Sequence, residues 1–426
     1  MTQYFSLDAP GLPSALISSL VEEAERAGAG RLSLVGGVAR DLMLYQMLRD
    51  SWRPLSDLDL LLEGSSSDFV SHLQDQYGPD RVSELQLHEQ FGTAELVIDG
   101  LRLDVACART ETYPAPGENP HVQVGTLEQD LARRDFTVNA MALRLCPSAR
   151  GQLMDLHGGE ADLKSKHLRL LHEDSFIDDP TRAWRACRYE VRYGFQWDAG
   201  MVAAWGAARK GEAPTRVSLQ RYGNEWAKVL TENDIVAVVH ALLEHDVFAV
   251  LHAELTLTSP IVTSLQQVLS SGTGPCFGRL EGLEEALWLA LAMALPAEDR
   301  HTTRDFASGK QGRAVRWDQG PDRVSLAYRR LRATGAKGDW GATLKQEAAP
   351  ELLVLHSLGP VCREAVQWWL DEGRMCRTVV SAAGLMERGL DSGPLLGQAL
   401  EAAQWCAWEG GTEASQWDAA LHAAGI

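Results

Sequence analysis

No uninterrupted apolar stretch in this chain reaches membrane-spanning length, so the sequence offers no candidate transmembrane helix. Its opening segment, MTQYFSLDAPGLPSALISSLVEEAERAG, lacks a basic run followed by an apolar core and does not read as a secretory signal. It reads instead as an amphipathic helix with Leu16 or Ile17, Leu20 and Val21 at helical spacing, and a cytoplasmic location is expected. Cysteine is sparse: seven in 426 residues, odd in number and never closely paired. That spacing excludes a zinc ribbon and argues against a disulfide scaffold, leaving the cysteines as small buried residues. Fixed-period repeats and compositional runs of the disordered kind are also missing. Positive charge is in deficit, with 40 Lys and Arg against 58 Asp and Glu, a net charge of −18. On average this disfavours contact with a polyanion. The deficit is uneven, however. Between Arg300 and Lys337 ten Lys and Arg face three Asp and Glu, with Trp317 and Tyr328 interleaved. A second basic set follows Arg182, and a basic track on an acidic protein can still hold nucleic acid.

The length allows roughly two to four domains. In the first half, strand-like and helix-like segments alternate. Arg31–Val35 reads as a strand running into Gly36-Gly37, and Val38 to about Leu48 as a helix. Asp57–Leu62 reads as a strand, and Ser66–Tyr77 as a helix capped by its serine cluster. Phe91–Ile98 and Leu101–Ala108 read as strands joined at Asp99-Gly100, a strong hairpin signal. Tyr113–Gly125, rich in Pro and Gly, reads as a loop, and Phe136–Leu145 as a helix. From about residue 200 the pattern turns to Leu- and Ala-rich helices, among them Ile235–Leu243, Leu280–Leu295 and Val361–Leu370, with breaks near 258–278 and 318–322. The tail from 391, with Trp405, Trp408 and Trp417, carries no readable pattern.

Chemistry concentrates in Ser56-Asp57-Leu58-Asp59-Leu60. Alternate residues of a strand share a face, so Asp57 and Asp59 emerge together while Leu58 and Leu60 pack behind them. Adjacent carboxylates repel and call for a cation, and oxygen-only ligands suit Mg²⁺. A lone pair of this kind is more often two solvated aspartates. This pair follows Leu34-Val35-Gly36-Gly37-Val38-Ala39-Arg40-Asp41, a strand, a diglycine turn and a helix start. Gly36, Gly37 and Arg40 there suit a triphosphate, because glycine lets the backbone approach closely and unpaired helix-start amides favour an anion. Asp104, on the face opposite Leu101, Leu103 and Val105, can act as a general base or a further metal ligand, or be an unrelated surface residue. Arg133 and Arg134 can clamp phosphate oxygens; Asp135 can orient one of them, and Asn139 can reach a ribose hydroxyl.

Taken in order, GGVARD, SDLDLLLEG, DLARRDFTVNAMAL, LMDLHGGEADLKSKHLRLLH and DDPTRAWRACRYEVRYGF resemble the successive motifs of the class II tRNA nucleotidyltransferase/poly(A) polymerase family. VSLQRYGNEWAKVL resembles the next motif, with Gln220 where an acidic residue is commoner. The match spans residues 30–230; beyond 235 the resemblance is only one of helical character. It implies an α+β fold with a polymerase-β-like nucleotidyltransferase head, a small mixed sheet with helices, over residues 1–150. A helical neck over 151–235 would select the base without a template, and an all-α body and tail over 236–426 would bind tRNA. The implied partners are ATP, CTP and the tRNA 3′ acceptor end, and the implied cofactor is Mg²⁺.

The family's base-selecting motif matches Asp178-Asp179-Pro180-Thr181-Arg182. Its second acid and its arginine face the base, a role that falls to Asp179 and Arg182; its first acid is usually glutamate, here Asp178. Proline suits the first helical position, with Asp179 at the N-cap. Arg182, Arg185, Arg188 and Arg192 recur at helical spacing, facing either phosphates or solvent, with Trp184, Cys187 and Val191 on the buried side. In the implied reaction two Mg²⁺ ions bridge Asp57, Asp59 and the triphosphate, the RNA 3′-hydroxyl attacks the α-phosphate and pyrophosphate leaves. Enzymes adding CCA, CC or A share these motifs, as do poly(A) polymerases acting on general RNA. A catalytically inactive RNA- or nucleotide-binding protein is the alternative of another class. His245-Asp246, in an apolar helical run, reads as structural.

Overall fold

The computed structural model describes residues 3–52, 57–88, 92–251, 286, 289–290, 292–293 and 320–426. The chain divides into two compact units, Met1–Ser218 and Leu219–Ile426. The fold is α+β, with a mixed sheet in the first unit and helices in the second.

In the first unit the apolar run Leu32–Val35 forms β1, buried along its whole length. It leads into α2, Gly36–Leu48, so the helix begins at the diglycine rather than at Val38. β2 is Asp57–Leu62, and α3, Ser66–Tyr77, is capped by Ser65, whose hydroxyl accepts from the Asp68 amide. β3, Val82–His88, has no counterpart in the sequence reading; β4, Thr93–Ile98, and β5, Leu101–Cys107, form the expected hairpin. With β8, Met141–Arg144, and β9, Leu153–Asp155, these strands build a sheet in the order β3-β4-β5-β2-β1-β8-β9. Every pairing is antiparallel except β2 with β5. α1, Ser14–Arg26, buries Ile17, Leu20 and Val21, and these share a core with Leu34, Leu58, Leu60, Phe69 and Leu103. Side chains alternate along the strands, so Val35 and Leu61 join a separate cluster with Leu127, Leu131 and Ala142.

Two sequence expectations need correction. Phe136–Leu145 is not a helix: Thr137–Asn139 makes one 3₁₀ turn and Met141–Arg144 is strand β8. Lying between β1 and β9, this strand is buried on both faces, so its apolar run lacks the alternation that marks a half-exposed strand. Nor is Tyr113–Gly125 all loop, because His121–Val124 (β7) pairs with Arg109–Thr112 (β6).

After α4, Leu127–Ala132, and α5, Gly159–Ser165, the chain reaches α6, Ser175–Asp178, and α7, Arg182–Tyr193. α7 begins two residues later than the expected Pro180 start. Asp179 still holds the entry turn, its carboxylate accepting from the Thr181 amide at 3.1 Å and the Thr181 hydroxyl at 2.7 Å.

The described residues of the second unit contain helices and no strand. Val324, Leu331, Trp340, Leu344, Leu353 and Val366 fill one core. The unreadable tail forms two helices, Pro394–Trp408 and Glu413–Ala424, around Leu385, Ala399, Ala403 and Ala420. The six described cysteines are free. His245 closes the helix Ile235–Glu244, its amide bonded to the Ala241 carbonyl. The basic island is described only from Gly320, where Arg323 pairs with Glu347 at 3.1 Å and Lys337 with Glu372 at 3.7 Å. Ser56, Cys276, residues 258–278, most of 280–295, and 300–319 with Trp317 lie outside the described residues.

Candidate functional site

β2 turns Leu58 and Leu60 into the core and leaves Asp57 and Asp59 half-buried on its other face. β5 lies parallel beside it, in a register that sets Asp57 opposite Arg102 and Asp59 opposite Asp104. Asp57, Asp59 and Asp104 each bring one carboxylate oxygen within 4.8 Å of the others. Burial, reinforced by Asp57 and Asp104, pushes the Asp59 carboxyl up to about 6, against the pull of Arg134 and the Gly37 amide. Asp104 is likewise pushed up to about 6 by burial, Asp57 and Glu95. Its Oδ1 is buried and has no hydrogen-bond partner among the described residues. Three clustered acids and one orphaned carboxylate oxygen form a donor set that fits a hard divalent cation.

The diglycine turn closes on this cluster. Gly36 has φ +63°, and a Cβ there would lie 2.8 Å from Asp59 Oδ2 and 3.5 Å from Arg134 Nη1. Only glycine fits both the backbone and the space. The Gly37 amide, at the start of α2, donates to the Asp59 carboxylate. Arg134 is held edge-on by Asp130 Oδ2, through Nε at 3.1 Å and Nη2 at 2.9 Å, which leaves Nη1 toward Gly36. Arg133 binds Asp130 Oδ1 and Glu111 Oε1. Sequence reasoning missed Asp130, which is fully buried. Its signal was available, because an acid three and four residues before two arginines meets both on one helical turn.

Arg40, expected to suit a triphosphate, has its Nη2 near the diglycine turn, 3.5 Å from where a Gly37 Cβ would stand. It is buried, with Nε on Asp41 at 2.9 Å, Nη1 on Asn139 Oδ1 at 2.6 Å and Nη2 on the Tyr193 hydroxyl. Asn139 in turn donates to Asp135 Oδ1 at 2.9 Å, and Asp135 Oδ2 accepts from Arg185 at 2.6 Å. Asp135 and Asn139 are therefore bonded to each other, and Arg185 is committed to an ion pair.

At the start of α7, Arg182 is buried, donating to the Ser175 hydroxyl, to the Arg133 carbonyl at 3.2 Å and to the Tyr113 hydroxyl at 3.4 Å. Tyr113, also missed from sequence, donates to Glu111 at 3.0 Å. Asp178 lies 3.6 Å from His172, and burial raises its carboxyl pKa. Arg188 is buried too, and only Arg192 of the helical arginine series is exposed. The structure thus gathers Asp57, Asp59, Asp104, Gly36, Gly37 and Arg134 at one place. Arg133 and Arg182 join through Asp130 and the Arg133 carbonyl.

Residues 32–169 match the Poly A polymerase head domain. An A-adding tRNA nucleotidyltransferase of Aquifex aeolicus is 42% identical over 166 residues, 39% of this chain and 19% of that protein. A CC-adding tRNA nucleotidyltransferase of Deinococcus radiodurans is 41% identical over 171 residues, 40% of this chain and 43% of its own length. The chain thus aligns with less than half the length of these curated relatives. Similarity of structure extends further. A CCA-adding enzyme in its apo form II superposes with TM-score 0.77 at 25% identity, covering 96% of each chain. The Thermotoga maritima CCA-adding enzyme complexed with tRNA shares the fold, with TM-score 0.77 at 24% identity over 96% of this chain and 95% of that one. The head is thus matched in sequence over residues 32–169, and the fold is similar to that of CCA-adding enzymes along nearly the whole chain.

Proposed function

We propose that the protein is a tRNA 3′-terminal nucleotidyltransferase that adds C, A or both from CTP and ATP, releasing pyrophosphate. The observation that carries this reading is the convergence of Asp57, Asp59 and Asp104 beside the diglycine start of α2. Asp57 and Asp59 would hold Mg²⁺, which when bound neutralises the acidic cluster and draws phosphate oxygens to it. The α2 amides and Arg134 bind and orient the triphosphate. Asp104 Oδ1, without a hydrogen-bond partner among the described residues, accepts the proton of the attacking 3′-hydroxyl. Asp179 and Arg182, joined in the entry turn of α7, present the acceptor and donor pair that reads the base, since a carboxylate accepts from an exocyclic amine and a guanidinium donates to ring acceptors. Residues 1–150 serve as catalytic head, 151–235 as neck and 236–426 as the tRNA-binding body. No helix among the described residues is long and apolar enough to cross a membrane, and the enzyme's place of work is the cytoplasm.

The test supplies purified protein and Mg²⁺ with tRNA lacking CCA, tRNA ending in C or CC, and generic RNA, with CTP and ATP given singly and together. Extension of tRNA with C or A is expected, and the accepted ends distinguish CCA, CC and A addition. Equal extension of generic RNA with ATP makes the protein a poly(A) polymerase instead. Nucleotide binding without any extension would leave an inactive binding protein.

A further inference from the structure

Arg40 lies at the centre of a bonded chain that connects the triphosphate turn to the base-reading helix. It projects from α2, four residues after the start of that helix at Gly36. One guanidinium nitrogen reaches Asn139, and from there the chain runs through Asp135 to Arg185 on α7. A second nitrogen reaches the Tyr193 hydroxyl, and the guanidinium carbon lies 4.9 Å from the Tyr189 ring centroid and 4.4 Å from that of Tyr193. Arg185, Tyr189 and Tyr193 are spaced four residues apart and share one face of α7. Both ends of the chain therefore land on the helix that begins with Arg182.

Arg40 is 3% exposed and places Nε, Nη1 and Nη2 each on a protein group, three of its five N–H donors. It is well placed to fix a distance. Its planar fork serves separate acceptors in a set geometry while its face stacks on tyrosine, a combination lysine cannot reproduce. Template-free base selection needs such a fixed distance, because a base is judged by its fit only if its triphosphate is anchored in constant register with the reading groups. We infer that Arg40 is a positioning residue for nucleotide selection, setting α7 and its base-reading turn against the diglycine turn; this rests on the function proposed above.

The experiment compares kcat/KM for CTP, ATP, UTP and GTP on tRNA ends using the full-length wild type and the Arg40→Lys, Tyr193→Phe and double variants. Arg40→Lys keeps the positive charge and loses the fork. Discrimination against the wrong nucleotides should fall about tenfold in Arg40→Lys and less in Tyr193→Phe. The double variant should discriminate no worse than Arg40→Lys alone, because both changes break the same link. If Arg40→Lys fails to fold, Tyr193→Phe alone decides, and unchanged discrimination in it overturns the inference. A KM raised equally for all four nucleotides, with selectivity intact, would make Arg40 a plain triphosphate ligand and also overturn it. Failure of the underlying function reading is separately visible, as a wild type that extends no tRNA.

Discussion

Asp59 stands directly opposite Asp104 across the parallel β2–β5 ladder, so two carboxylates from different strands share one half-buried surface with Asp57 beside them. Nothing in sheet formation requires that choice. Like charges at paired positions oppose folding, and they are tolerable only where a cation or a proton offsets them.

The first prediction concerns pH and metal. The folded state holds Asp59 and Asp104 near 6, above the usual carboxylate value of 3.8, so it takes up protons that the unfolded chain releases. Metal-free stability should therefore decline as pH rises from about 4 through 6. Added Mg²⁺ should raise Tm at pH 7.5 or so, and the effect should fade below about pH 6 as protons replace the ion. Asp59→Asn should stabilise the metal-free protein by about 1 kcal/mol, remove the Mg²⁺ response and abolish nucleotide transfer. Calorimetry across pH, with and without Mg²⁺, measures all but the last. A Mg²⁺ response unchanged in Asp59→Asn places the ion elsewhere.

Gly36→Ala separates backbone strain from crowding of the site. Gly36 and Gly78 both hold positive φ, +63° and +71°, but a Cβ at Gly78 would meet nothing within 4 Å among the described residues. Gly36→Ala should lose about 1 kcal/mol of stability from its positive φ, and Gly78→Ala about 2 kcal/mol, because φ +71° with ψ 172° is a region essentially reserved for glycine. Only Gly36→Ala also drives a methyl group into Asp59. Transfer should fall about a hundredfold in that variant and stay near wild type in Gly78→Ala, as initial rates on a tRNA substrate will show.

The acidic pair was legible in the sequence because period-two alternation in DLDL puts both carboxylates on one face whatever the tertiary fold. Asp104 was half legible: its face followed from LRLDV, but its neighbour depended on β5 lying parallel to β2, which no local pattern encodes. Arg40 was illegible for the same reason. Its hydroxyl partner, Tyr193, lies 153 residues away, and a GGVARD string looks the same whether its arginine meets phosphate or tyrosine. Strand β8 misled because burial on both faces erased its periodicity.

The tail illustrates a different gap. Trp405 and Trp408 made no pattern of their own because their seats are glycines in the helix Lys337–Leu344. A Cβ at Gly338 would lie 2.3 Å from the Trp405 ring, and one at Gly341 would lie 2.4 Å from Trp408. Trp408 is buried and donates its indole N–H to the Gly373 carbonyl at 3.0 Å, so it has little room to retreat. Gly341→Ala should therefore cost about 2 kcal/mol by overpacking, despite the better helix propensity of alanine. Urea unfolding followed by tryptophan fluorescence measures it; a neutral or stabilising result would show that the two helices can separate without loss.

Asp135→Asn tests the ion pair behind the site. Burial alone would raise the Asp135 carboxyl, but Arg185, the amide of Asn139 and Arg182 overcome it and hold the group at about 2. Because this pKa lies below the usual 3.8, the stabilisation is fully present above about pH 4 and disappears as pH falls toward 2. The isosteric variant keeps the Oδ1 bonds from the Phe136 and Asn139 amides but turns a neutral amide group toward Arg185, removing the Asp135 charge from the pair. At pH 7 the loss should be about 2 kcal/mol, the free energy that corresponds to lowering the carboxyl from 3.8 to about 2. Urea titrations at successive pH values should then show wild type and variant converging between pH 4 and pH 2, since protonated Asp135 and asparagine carry the same charge. A gap that stays constant with pH would mean that shape, rather than charge, sets the role of Asp135, and the link from Arg40 to α7 would then depend on the tyrosine end alone.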